Sequence, residues 1–108
     1  MRPYIVLRTI AGFDWNEGNR EKCQKHGVSI AEIEGLFAGA HTIHVDAEHS
    51  FAEQRLKAIG RAGSGRFIFL VFTLRERRGQ AYIRPISARY MHDKEIRRYE
   101  EEDPRFSQ

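Results

Sequence analysis

The chain has 108 residues, of which 41% are hydrophobic, 11% aromatic and 31% charged. This length predicts one domain with a substantial core, and this composition excludes a disordered, fibrous or membrane-embedded chain. The longest apolar run, residues 67–72, is far shorter than the ~20 residues of a membrane span. The apolar residues 4–7 are too few for the core of a signal peptide, and the single Cys23 permits no intramolecular disulfide. We therefore expect a cytoplasmic protein.

The net charge of +3 hides an uneven distribution of charge along the chain. Residues 54–98 contain twelve Lys and Arg against three Asp and Glu, which gives +9 there and leaves −6 for the rest. Most of these cations are arginines, whose planar guanidinium binds phosphate oxygens in pairs. The pattern predicts an anionic partner, with nucleic acid first. The alternative is a solvated surface with scattered charge.

The first third of the chain carries the signals of two short strands and two helices. Residues 4–7 and 13–15 are the strand candidates. A first helix is predicted between residues 16 and 27, from an asparagine cap to a glycine end. A second helix begins at Ser29, which forms an S-x-x-E capping box with Glu32.

The remainder of the chain reads mainly as strands. Strands are predicted at residues 41–46, 53–59, 67–73 and 81–87, and a last helix at residues 92–102. The 67–73 segment is apolar on both faces, which is typical of a central strand. Pro85 removes one ladder donor and indicates an edge strand or a bulge. The predicted fold is α+β, an antiparallel sheet with packed helices in the order β–α–α–β–β–β–α.

A first candidate site lies on the predicted 53–59 strand. Because alternate residues of a strand share a face, Glu53, Arg55 and Lys57 should project together. A carboxylate beside two cations suits a base next to a phosphate clamp. The alternative is an exposed sheet face with an ion pair of little energetic value.

A second candidate group closes the predicted 81–87 strand. Ser87 and Arg89 share a parity and can converge where the strand leaves the sheet, and Arg84 lies on the same strand. Strand ends and the loops after them commonly carry functional residues. A structural use of Ser87 as a turn or cap residue explains the spacing equally well.

Lys25 and His26 stand at the predicted end of the first helix. The helix dipole stabilises both cations there, which is a sufficient structural reason for them. His26 is nevertheless the best-placed titrating group in the chain. Cys23 lies on the same helix and is interpreted as a packing residue.

The acidic and histidine-rich stretch from His41 to His49 invites a metal-site interpretation. In a strand His41 and His44 point to opposite faces, so at most His44, Asp46 and Glu48 align. The spacing matches no recurrent ligand pattern, so we expect no metal site and no cofactor. A small metal-dependent hydrolase remains a third hypothesis on this stretch alone.

Four motifs in order resemble the BrnT toxin family, over residues 13–99. They are Phe13-x-Trp15, Lys25-His26-Gly27-Val28-Ser29, Glu53-x-Arg55-x-x-x-Ile59-Gly60, and Ile83-Arg84-x-Ile86-Ser87-Ala88-Arg89 with Glu95 and Tyr99. On this resemblance, residues 13–99 form the core, 1–12 an N-terminal extension, and 100–108 a frayed tail. The chain departs from the usual family pattern at Asn16, Asn19, Cys23 and Pro85.

The resemblance implies a RelE-like fold and a cytoplasmic ribonuclease toxin of a bacterial type II toxin–antitoxin pair. It further implies RNA cleavage without a metal or cofactor, blocked translation, and a ribbon-helix-helix antitoxin of the BrnA kind. We expect the two proteins to form a heterotetramer that meets operator DNA only through the antitoxin, away from any membrane. The alternative is a catalytically weak module on the same fold that binds nucleic acid or protein.

Metal-free RNA cleavage uses the RNA's own 2′-hydroxyl, which attacks the adjacent phosphorus and expels the 5′-oxygen. It needs a base, donors for the phosphoryl oxygens, and an acid. The catalytic candidates are Lys25, His26, Glu53, Arg55, Arg84, Ser87 and Arg89, and the candidates for RNA binding are Lys57, Arg61, Arg66 and Arg97. Glu53 or His26 would be the base, and His26, Lys25 or an arginine the acid.

Overall fold

The computed structural model describes residues 10–49 and 53–102, except the His49 side chain. The strand predicted at residues 4–7 lies outside the described residues. No helix among those described is long and apolar enough to cross a membrane.

The described residues form three α-helices and one five-stranded sheet. The elements are β1 Gly12–Phe13, α1 Glu17–Gln24, α2 Ile30–Leu36, β2 His41–Val45, a 3₁₀ turn Ala47–His49, β3 Leu56–Arg61, β4 Phe67–Arg77, β5 Gln80–Tyr90 and α3 Asp93–Glu102. The sheet order is β1-β5-β4-β3-β2. The α+β prediction is confirmed, with two corrections. The four strands predicted between the second and the last helix are all present, one more than the written order β–α–α–β–β–β–α contains. The sheet is mixed and not purely antiparallel, because β1 runs parallel to β5.

Both N-terminal helices begin at the residues that the sequence predicts, because each start is a local hydrogen-bonding motif. The Ser29 hydroxyl accepts from Glu32 N at 3.0 Å, and a Glu32 carboxylate oxygen accepts from Ser29 N at 3.0 Å. Asn16 and Asn19 form the same reciprocal pair at the start of α1. Each cap satisfies amide donors that the first helical turn leaves open.

One face of the sheet, here called the covered face, packs beneath α1 and α2. Its side chains come from alternate strand positions, and the helices contribute apolar residues to the same cluster. The sheet members are Ile43, Leu56, Ala58, Ile68, Leu70, Phe72, Ile83 and Ala88, and the helical and linker members are Cys23, Val28, Ile33 and Leu36. All are buried, so this face is the hydrophobic core of the domain.

The opposite face, here called the open face, packs with α3 at one end. Tyr99 of α3 packs with Ile59 and Phe67 in a second, smaller cluster. The Tyr99 hydroxyl donates to Ile59 O at 3.1 Å and lies 2.9 Å from the Thr42 hydroxyl. These contacts fix α3 over β3 and β4. The other end of the open face, here called the uncovered end, has no α-helix over it within residues 10–49 and 53–102.

Pro85 lies at a β-bulge inside the sheet. Val71 pairs with Ser87 and Phe72 with Pro85, so Ile86 is the extra residue of β5. The bulge predicted from Pro85 is confirmed. β1 covers the outer side of β5 only at Tyr82 and Ile83, so at Pro85 that side of β5 has no strand partner among the described residues. The Asn19 amide donates to Pro85 O at 3.0 Å, which supplies a partner where β1 has ended.

Candidate functional site

A groove of about 520 Å³ opens on the uncovered end of the open face. Five segments meet there: α1, the end of β2 with the 3₁₀ turn, β3 with the residues before it, β4, and β5. The lining residues are Lys22, Val45, Asp46, Ala47, Glu48, Arg55, Lys57, Phe69, Val71, Ile86 and Ser87. Three cations and two carboxylates therefore surround a floor of apolar side chains.

Strand register explains how distant residues meet in this groove. His44 pairs with Lys57, Lys57 with Val71, and Val71 with Ser87. Directly opposed residues of neighbouring strands project from the same face, so these four side chains form one row across the sheet. The groove residues Lys57 and Ser87 are thus two strands apart, with Val71 between them.

Arg55 lies beside this row, in the loop before β3. Its carbonyl accepts from Asp46 N at 2.8 Å, a bond that continues the β2–β3 ladder by one step. The same bond holds Asp46, which is only 8% exposed, next to Arg55 at one wall of the groove. Lys22 reaches the opposite wall from α1, which packs against β5.

Glu53 does not line the groove, and the predicted strand 53–59 begins too early. The β3 strand starts at Leu56, so the alternation that was expected to align Glu53 with Arg55 and Lys57 does not extend to Glu53. The Glu53 carboxylate instead lies 3.7 Å from the Arg75 guanidinium.

The bulge places Arg84 on the open face with Ser87 and Arg89. Counting alternate residues along β5 would put Arg84 and Ser87 on opposite faces of the sheet. Thr73 pairs with Arg84 and Val71 pairs with Ser87, so the extra residue of the bulge brings both to the same face. Arg84 lies outside the groove lining, and its Nη1 donates to Asp14 at 3.4 Å. Arg77 contacts the same carboxylate at 3.2 Å.

Arg89 is held by α3. Its two terminal nitrogens donate to the two oxygens of Glu95 at 2.8 and 2.9 Å, and its guanidinium lies 4.7 Å from the Phe69 ring centre. The Arg89 hydrogen bonds lower the pKa of Glu95 to about 2, and Glu95 in turn raises the pKa of Arg89. In this arrangement Arg89 anchors α3 at the rim of the open face.

Lys25 and His26 lie away from the groove, in the turn after α1. The neighbouring Gly27 carbonyl is 3.4 Å from the Tyr90 hydroxyl, which donates to Glu32 at 2.6 Å. This short bond, with further bonds from Ser29 and Ser64, lowers the pKa of Glu32 to about 2. Tyr90 belongs to the covered side of β5, so the sheet separates this turn from Arg55.

The RNA-binding candidates are distributed over both faces of the sheet and α3. The Arg66 guanidinium stacks 3.4 Å from the Tyr90 ring centre, and that of Arg61 lies 4.8 Å from the Phe67 ring centre. Arg97 is exposed on α3. Of the four, only Lys57 lines the groove.

The histidines and the acidic residues between positions 41 and 49 make contacts in different places. His41 Nδ1 lies 2.8 Å from Gly39 O, and His44 Nε2 lies 3.2 Å from the Thr42 hydroxyl. Within residues 10–49 and 53–102, no three His, Cys, Asp or Glu side chains are grouped as a metal site would require. Asp46 and Glu48 face the cationic groove instead.

Three groove residues are not candidates for RNA binding or catalysis on the sequence alone. The sequence suggests Asp46 and Glu48 only as metal ligands, and nothing in it distinguishes Lys22. The only sequence signal for Asp46 was its place directly after a strand that pairs with the Arg55 segment. Lys22 gave none, because its approach to β5 depends on how α1 packs.

The fold and the groove define a small α+β domain with a cationic, partly acidic cleft on an open sheet face, suited to a phosphate-bearing polymer. The profile of one family, ribonuclease toxins called BrnT of type II toxin–antitoxin systems, matches residues 15–95. This chain belongs to that family. A search among curated proteins finds no match. The toxin class, its ribonuclease activity and a protein antitoxin as partner follow at the level of the family.

The three departures in α1 have structural roles here. Asn16 and Asn19 cap the helix, and the Asn19 amide also donates to Asp14 O and Pro85 O, both at 3.0 Å. Cys23 is fully buried, and burial raises its pKa to about 11, so it is a packing residue and not a thiolate nucleophile. Asn19 therefore connects α1 to β5, and none of the three residues lines the groove.

Proposed function

We propose that this protein is a metal-independent endoribonuclease toxin whose reaction takes place in the groove on the open face. RNA is cut by attack of its own 2′-hydroxyl on the adjacent phosphorus, which breaks the P–O5′ bond and leaves a 2′,3′-cyclic phosphate. Cleavage of translated RNA then blocks protein synthesis.

The observation that carries this proposal is the meeting of Arg55, Lys57 and Ser87 in one cleft. The charge on the phosphoryl oxygens grows during the attack, and fixed donors aimed at them are worth most where water is partly excluded. Arg55 supplies a planar fork of donors and Lys57 a point charge. The Ser87 hydroxyl donates from β5, two strands away from Lys57. The apolar floor between them supports an unpaired base beside the phosphate.

The direct test is cleavage by the purified full chain in EDTA. We expect RNA fragments that end in 2′,3′-cyclic phosphate, and we expect DNA of the same sequence to stay intact because it lacks the nucleophile. Activity that disappears in EDTA and returns with Zn²⁺ or Mn²⁺ would contradict the proposal. A protein that binds RNA without cutting it would be the catalytically weak module instead.

Expression provides the cellular test. Induced alone in a bacterium, the wild-type protein should arrest growth, and Arg55→Ala should relieve the arrest while the protein stays folded. Wild-type protein that accumulates without harm would contradict a toxin function.

We further propose that the partner is a ribbon-helix-helix antitoxin in a heterotetramer, and that operator DNA is contacted only through it. The cationic open face and the Arg84–Arg89 side of β5 are the surface to be covered, with an interface above about 1,000 Å². Hydrogen exchange on the co-expressed complex should show protection of β5. Exchange of β5 as fast as in the free toxin would refute this interface.

A further inference from the structure

The two walls of the groove carry opposite charges. The function proposed above gives no role in the reaction to the side chains of either wall. Asp46 and Glu48 line the wall at the end of β2, and Lys22 lines the wall at α1. Arg55 and Lys57 come from the segment next to β2 and extend along the groove between them. Across the groove from β2 to α1, the lining side chains are therefore first carboxylates, then the cations Arg55 and Lys57, then the apolar floor with the Ser87 hydroxyl, and last Lys22.

The separation of the walls suits an in-line reaction. From β2 to β5 there are three strand spacings, or roughly 14 Å. In the attack on phosphorus the 2′-oxygen enters opposite to the departing 5′-oxygen, so the base and the acid stand on opposite sides. A base and an acid that each hydrogen-bond to one of these oxygens are roughly 9 Å apart. Lys22 lies on α1, which packs against β5, and its flexible four-carbon stem allows the ammonium group to approach the departing oxygen.

Resting on that proposed function, we propose that Asp46 is its general base and Lys22 its general acid. Asp46 takes the proton of the 2′-hydroxyl as the O2′–P bond forms. Lys22 gives an ammonium proton to the 5′-oxygen as the P–O5′ bond breaks. The products are a cyclic phosphate, a 5′-hydroxyl, a protonated Asp46 and a neutral Lys22, and exchange of protons with water restores both side chains.

Asp46 is chosen over Glu48 because its position is fixed. Its backbone amide is bonded to Arg55 at the end of the ladder, and the residue is nearly buried. Glu48 is exposed on the short 3₁₀ turn. A base must hold its geometry toward the proton that it removes, and a residue tied to the sheet does this better than one on a surface turn.

This assignment sets the direction of the RNA in the groove. The nucleoside that contributes the 2′-hydroxyl lies toward β2, and the nucleoside that leaves with the 5′-oxygen lies toward α1. His26 and Glu53, the bases considered from sequence, lie outside the groove lining and are not needed for this step.

The test compares two substrates under single-turnover conditions in EDTA. One is an oligoribonucleotide that the wild-type chain cleaves, and the other carries sulphur in place of the 5′-oxygen at the cleaved bond. A thiolate leaves without a proton, since thiols are far more acidic than alcohols. The variants are Asp46→Asn, Asp46→Glu, Lys22→Met and the exposed α3 controls Asp93→Asn and Lys94→Met.

We expect Lys22→Met to cleave the oxygen substrate about 10²-fold or more slowly, and the sulphur substrate at a rate near that of the wild type. Asp46→Asn should be slowed by about 10²–10⁴-fold on both substrates, with Asp46→Glu clearly faster than Asp46→Asn. The controls should match the wild type.

Two results would overturn the assignment. Equal losses on both substrates for Lys22→Met would make Lys22 a phosphate-binding residue only. Wild-type rates for Asp46→Asn would remove Asp46 as the base. Lys22 is exposed, so Lys22→Met tests the general acid even if Asp46→Asn does not fold. In that case a folded Asp46→Glu tests the base, and wild-type rates for it on both substrates would remove Asp46 from that role. A wild-type chain that cleaves no RNA in EDTA would instead refute the proposed function itself.

Discussion

The two faces of the sheet are built from the same strands but differ in the side chains that they carry. On the covered face alternate residues are apolar and buried beneath α1 and α2. On the open face the intervening residues include Arg55, Lys57, Arg84 and Arg89, and among the described helices α3 packs on one end of it. The difference separates two tasks, because substitutions on the covered face should act on stability and those on the open face on RNA cleavage.

The largest expected effect comes from adjacent residues on opposite faces of β4. Phe72 is fully buried and packs edge-on against Phe37 with ring centres 5.6 Å apart. Phe72→Ala should lower the free energy of unfolding by about 3–5 kcal/mol. Val71→Ala, at the groove floor, should cost about 1 kcal/mol, because Val71 is only half-buried. Urea unfolding of both variants measures the contrast, and equal losses would contradict the division between the faces.

A glycine pair tests how tightly the covered face is packed. A Cβ on Gly60 would lie 2.8 Å from Ala40 O and 2.9 Å from Leu36 Cδ1. Gly60→Ala should therefore destabilise the protein by about 1–3 kcal/mol. Gly35→Ala, in α2 with no atom within 4 Å of the new Cβ, should stabilise it by about 0.5–1 kcal/mol. A neutral Gly60→Ala would show that α2 and β3 are less closely packed than described.

The smallest effect is the acid sensitivity contributed by one carboxylate on each side of the sheet. The pKa of Glu32, bonded to Tyr90, and that of Glu95, bonded to Arg89, are both lowered to about 2. A carboxyl whose pKa is lower in the folded state stabilises the fold above its unfolded pKa, here 4.5, and loses that contribution as the pH falls toward 2.

Glu32→Gln and Glu95→Gln should each flatten the loss of stability between pH 4.5 and 2, measured by unfolding across that range. Both groups are partly exposed, so added salt should reduce the effect. If the stability of a variant falls between pH 4.5 and 2 as steeply as that of the wild type, the pKa of the replaced carboxylate is not lowered in the folded state.

The sequence predicted those features that depend on neighbours along the chain. The Ser29–Glu32 capping box and the Asn16 helix start are each motifs of four residues. The central position of β4 was predicted from the unbroken apolar run at residues 67–72. The grouping of Arg55, Lys57 and Ser87 was predicted only in part. Strand alternation grouped Lys57 with Arg55, and Ser87 with Arg89 at a strand end, but did not predict that one row across the sheet joins Lys57 and Ser87.

The remainder depended on tertiary structure. The extra residue at Ile86 moves Arg84 to the face of Ser87, and no count of alternate positions reveals it. The approach of Lys22 to the groove follows from the packing of α1 on β5. The late start of β3 leaves Glu53 with Arg75 instead of in the groove, because the loop before the strand does not keep the two-residue repeat.

The most direct test of the central claim, that RNA is cleaved in the open-face groove, is the cleavage rate of Arg55→Ala in EDTA. Arg78→Gly is the matched control, since it removes one positive charge from the β4–β5 turn, where a φ of 53° suits glycine. The account predicts that Arg55→Ala is slower than the wild type by about 10²-fold or more at unchanged thermal stability, and that Arg78→Gly cleaves normally. A folded Arg55→Ala that cleaves RNA as fast as Arg78→Gly would contradict it.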